Sequence, residues 1–143
     1  MPLGSMQDRR MTYFADGTPY AYGGPDVTDP AINVGWLDAR HPYTRGSVSE
    51  DQALKLARLC RNGVNRTRGY HQCEFCPPKP VGVAGGPTIA RDDDGEFFVG
   101  SAEIRLTGEG GKTFAAPNMI IHYVTEHGYE PPPEFLEALD QLN

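Results

Sequence analysis

The feature that most constrains this chain is the run Gly69-Tyr70-His71-Gln72-Cys73-Glu74-Phe75-Cys76, followed at once by Pro77, Pro78 and Pro80. Prolines forbid helix or central strand just beyond Cys76, so the two cysteines must sit on a tight turn held in a loop. A Cys-x-x-Cys turn aims two sulfurs at one point, the geometry of half a tetrahedral metal site. The rival reading is a thioredoxin-like redox pair, which needs the second cysteine inside a helix start within a βαβ unit. Neither the prolines nor the surrounding pattern supplies that context. Two free thiols are the plainest alternative. The third cysteine, Cys60, makes an odd count, which suits reduced thiols or metal ligands better than a disulfide framework.

The remaining ligands must come from elsewhere. His71 lies two residues before Cys73, and His122 and His127 lie beyond the 45 residues that follow Cys76. On an undistorted helix, five steps put His122 and His127 about 140° apart. One ion takes both only if the last turn tightens or unwinds before Gly128. The expected set is therefore His71, Cys73, Cys76 and His122 around one Zn²⁺, with His127 a buried histidine at the helix end. Cys60 is the spare candidate, with a core thiol as its ordinary fate. Thiolate and imidazole donors favour zinc over magnesium or calcium, and four protein ligands make a closed, structural site. With three ligands and a water, hydrolytic chemistry becomes open to Glu74 or Glu103 as acid or base.

The rest of the chain reads as α+β: a small antiparallel β-meander with three helices and a zinc knuckle, rich in loops. Gly 17 and Pro 13 among 143 residues account for the loops, and a 38% hydrophobic share promises a sparse core. Residues 1–5 read as an expression-tag remnant and 6–143 as a single domain. Ile32, Val34 and Trp36 alternate as in a short strand. Ser49-x-x-Gln52 is a capping box opening a helix that Gly63 stops. Strands are expected at 81–84, 96–99, 102–106 and 112–115, with turns at 92–95 and 108–111. Helices follow from Asn118 to His127 and after Pro131-Pro132-Pro133.

Several classes fall away. No apolar run approaches the ~18 residues of a membrane span. A net charge of −6 argues against a general nucleic-acid binder. Lys55, Arg58, Arg61, Arg66 and Arg68 form a basic cluster that reads either as a solvated helix face or as a contact for RNA or an acidic partner. Gly110-Gly111-Lys112-Thr113 ends like a phosphate loop, but the earlier glycine position holds Leu106. Asn65-Arg66-Thr67 matches a glycosylation sequon without a signal peptide to give it meaning, and the expected compartment is the cytoplasm. The stretch from Gly35 to Tyr43 mixes Trp36, Asp38, Arg40 and His41 and reads either as a recognition loop or as a strand end anchored by the tryptophan.

Asn33-Val34-Gly35-Trp36-Leu37-Asp38, the knuckle itself, Gly100-Ser101-Ala102-Glu103-Ile104-Arg105, and Ala116 to Tyr123 through Pro131-Pro132 together resemble a family of small uncharacterised bacterial proteins. The resemblance covers roughly residues 11–140 and implies kinship and one domain, with no activity and no functional residue to carry over. The expected role is a cytosolic zinc protein whose partner is another protein, as an adaptor or an immunity-type partner. A metal-dependent hydrolase is the alternative, and a nucleic-acid module a weaker one.

Overall fold

The computed structural model describes residues 13–19, 31–64, 72–76 and 88–142. His71, the tag remnant, the sequon and the expected strand at 81–84 lie outside them. The elements are β1 (Ile32–Asn33), α1 (Glu50–Arg61), β2 (Thr88–Asp92), β3 (Gly95–Val99), β4 (Glu103–Thr107), a 3-10 turn (Glu109–Gly111), β5 (Thr113–Pro117), α2 (Ile120–His127) and α3 (Pro133–Asp140).

Helix α1 starts where the capping box requires. Ser49 Oγ accepts the Gln52 amide and Gln52 Oε1 accepts the Ser49 amide, both at 3.0 Å. Its buried face is Leu56, Ala57 and Cys60. The basic residues of the opposite face are paired within the chain. Arg58 grips the Asp93 carboxylate at 2.8 and 3.2 Å, Arg61 grips Asp92 at 2.6 and 2.7 Å, and Lys55 reaches Asp51 and the Asp140 carbonyl. The two arginine pairs fasten α1 to the β2–β3 hairpin, whose turn is the acidic Asp92-Asp93-Asp94-Gly95 run, while Lys55 ties α1 to the end of α3.

The fold class is α+β; among the described residues there are three α-helices, and the strands divide between two sheets. The hairpin β2–β3 stands alone, while β4 and β5 pair antiparallel and β1 joins β5 in parallel. The break between β3 and β4 has a local cause. Gly100 takes φ +110 and gives its amide to Asn118 Oδ1 at 2.8 Å, so the chain turns away from the ladder. Strand β1 is shorter than its alternation suggests for a similar reason. Gly35 takes φ +80, where a Cβ would stand 2.7 Å from Ile120 Cδ1.

Alternation along β5 sorts two apolar groups. Phe114 and Ala116 join Ile104, Leu106, Leu56, Ile120 and Phe135 in the main core, while Ala115 meets Trp36 and Phe14 on the other side. Trp36 Nε1 donates to the Ala115 carbonyl at 3.0 Å, so the tryptophan anchors the strand end. The first five residues of α2, Ile120 to Val124, are buried, His122 included, as is Asn118 just before it, while Thr125 and Glu126 are exposed. Asn118 Nδ2 donates to the Cys60 carbonyl at 3.3 Å, tying the end of α1 to the start of α2. Among the described residues no helix is long and apolar enough to cross a membrane.

Candidate metal centre

The knuckle folds as a turn over Cys73–Cys76 in which the Phe75 amide points at Cys73 Sγ, 3.3 Å away. Phe75 is its fixing point: its ring meets Tyr43 at 5.2 Å, Tyr123 at 5.7 Å and His127 at 5.5 Å. Glu74 Oε1 accepts the Ala39 amide at 3.1 Å, and Tyr43 donates its hydroxyl to the His127 carbonyl at 2.8 Å. The Phe75 ring thus packs the knuckle directly on α2, and the two hydrogen bonds tie the knuckle and the end of α2 to the same 39–43 segment.

Into this corner α2 brings both of its histidines. His122 Nε2 lies 3.2 Å from Cys76 Sγ, and His127 Nε2 lies 3.4 Å from Cys73 Sγ and 3.5 Å from Cys76 Sγ. The two Nε2 atoms are 3.2 Å apart. All four ligand atoms fall within 4.8 Å of one another. A tetrahedral zinc with ordinary bond lengths would separate nitrogen from nitrogen by about 3.3 Å and sulfur from nitrogen by about 3.6 Å. Those four edges match such a polyhedron to within about half an ångström.

His127 joins the cluster because the helix ends wide. Gly128 adopts φ 67 and its amide returns to the Tyr123 carbonyl, as does that of Tyr129. These bonds span five and six residues where an α-helix spans four, so the last turn opens and positions five apart become neighbours. The sequence expectation sets His127 aside as a buried histidine at the helix end; in the structure it is half-buried and its Nε2 lies within the Cys73, Cys76 and His122 cluster. Two sequence signals bear on it: the four residues between His122 and His127, a spacing found in the histidine half of Cys2His2 sites, and Gly128, whose left-handed conformation makes the distortion possible.

Cys60 stands apart from the cluster as a fully buried core thiol, its pKa pushed far up by burial. Burial also pushes the Cys73 thiol up to about 11, helped by the neighbouring Cys76 and opposed by the Phe75 amide. His122 is shifted below the ordinary imidazole range by burial and by His127, with Glu126 opposing. A neutral imidazole is ready to donate its lone pair, whereas the thiol must shed a proton when a cation arrives. Of the two carboxylates considered for acid–base work, Glu74 is engaged by Ala39 and Glu103 is paired with Arg105 at 2.9 Å.

The description "Domain of unknown function (DUF7919)" matches residues 12–140. The chain belongs to the DUF7919 family. The family match runs from the segment before β1 to the end of α3, so the knuckle and both α2 histidines lie inside it. No curated protein and no solved structure matches the chain.

Proposed function

We propose that Cys73, Cys76, His122 and His127 hold one Zn²⁺ in a closed tetrahedral site, and that this ion is structural. The observation that carries the reading is the set of 3.2–3.5 Å separations among two sulfurs and two imidazole nitrogens contributed by a loop and a helix. An ion there would cross-link the knuckle to α2 and stiffen a chain whose apolar content is low. Four protein donors leave no position for a water, which favours a role in holding shape over one in hydrolysis. The function that goes with such a shape is binding: a cytosolic adaptor or immunity-type protein whose net charge of −6 suits a basic partner protein.

The test is elemental analysis of purified protein together with the absorption-edge spectrum of the bound metal. About one zinc per chain in an S2N2 shell, with chelation lowering the melting temperature, is the expected result. A shell of three protein donors plus oxygen would turn the reading towards the metal-dependent hydrolase. Metal-free protein of unchanged stability would end both.

A further inference from the structure

Beside the metal centre lies a second feature that the zinc reading leaves unused. A cleft of about 350 Å³ opens between the 13–16 segment and the 37–44 loop, lined by the rings of Tyr13, Phe14 and Tyr43, by Thr44, and by Asp16. Asp16 is the only charged residue among the described residues that line it. Its carboxylate is fixed in place: Oδ1 accepts the Gly35 amide at 2.9 Å and Oδ2 accepts the Tyr129 hydroxyl at 2.7 Å. Each of those oxygens keeps a further lone pair.

The walls are preorganised too. Tyr13 lies flat on His41, with centroids 3.8 Å apart and planes at 6°, and His41 Nδ1 sits 2.6 Å from the buried Asp38 carboxylate. Tyr43 is pinned by Phe75 and by its bond to the His127 carbonyl. The Tyr43 ring already takes a cation from its own chain, since the Arg45 guanidinium lies 4.7 Å above its centroid.

Aromatic rings around a single carboxylate select an organic cation, because ring faces and carboxylate attract the same charge. We infer that this cleft receives the lysine or arginine side chain of a basic segment in a partner protein, with Asp16 as its counter-charge and the tyrosine rings as its walls. The inference rests on the protein-binding part of the reading above and names the chemistry of the partner. Arg45 is then an internal competitor for the Tyr43 ring.

The test is an NMR titration of the zinc-loaded full chain with Nα-acetyl-lysine amide and Nα-acetyl-arginine amide. Nα-acetyl-norleucine amide is the neutral control, and methylammonium stands for a free amine. The cationic amides should shift the amide signals of Tyr13, Phe14 and Thr44 while the norleucine compound leaves them unmoved. Asp16→Asn should weaken binding by at least about fivefold, and Arg45→Ala should tighten it. No response to either cation, an equal response to norleucine amide, or an unchanged affinity in Asp16→Asn overturns the proposal. Methylammonium binding as tightly as the lysine amide overturns the assignment to a partner's side chain. Zinc content and melting temperature of the same samples separate the two readings: a chain that holds no zinc yet binds the cations refutes the metal centre and leaves the cleft standing.

Discussion

The Nε2 atoms of His122 and His127 face each other at 3.2 Å although five residues separate them, a spacing that an undistorted helix would turn to different sides. The convergence depends on the wide turn that closes on Tyr123, and it puts two imidazoles where two thiols already point.

His127→Ala should therefore cost more zinc affinity than the about 10- to 100-fold typical of losing an outer hydrogen-bond partner. His71→Ala and Cys60→Ser should leave the stoichiometry at about one. Competition with a chromophoric chelator measures all three. Retention of full affinity in His127→Ala together with its loss in His71→Ala would restore the ligand set expected from sequence.

Asn118 is fully buried and satisfies the Gly100 amide and the Cys60 carbonyl with one side chain. Asn118→Ala strands both groups in the interior, and each costs about 1–3 kcal/mol. A loss of roughly 2–6 kcal/mol in urea unfolding is expected, with zinc still bound in the folded fraction.

Acid should weaken the fastening of α1 to its hairpin. The Arg61 guanidinium holds the Asp92 carboxyl below its usual range, against the opposing effect of burial. A carboxyl depressed in the folded state stabilises fully above its unfolded pKa of about 3.9, and the contribution fades as pH falls through the lower folded value. Comparing urea midpoints of the wild type and Arg61→Gln checks this. The two curves should converge as pH drops below about 4, and parallel curves would show that the pair carries no such linkage.

What the sequence disclosed, and what it did not, divides by range. The capping box at Ser49, the acidic turn at Asp92–Gly95 and the Cys73–Cys76 turn are local devices whose partners lie within three or four residues, and each is found where its residues predict. Strand β2 went unread because Thr88–Asp92 alternates only weakly, leaving Ile89 exposed opposite Phe98. The division into two sheets rests on a bond between Gly100 and Asn118, which no local pattern announces. His122 shows the same limit. Helical periodicity sets it beside Thr125 and Glu126, which are exposed, yet His122 itself is buried because its ring turns towards the knuckle. His127 needed the exact manner in which α2 ends, and a glycine at 128 signals an ending without saying how wide it is.

The donors on the knuckle and those on α2 are separated by 46 to 54 positions, which gives biosynthesis an order. A ribosome exposes both thiols well before either α2 imidazole emerges, so on the proposed ligand set a nascent chain would offer only half a coordination sphere and would exchange a captured ion readily with competing thiols. Lasting capture would then wait for α2 to form and dock. An ion held in this way would be a late seal on a finished fold, and a chain arrested before His122 should go without it.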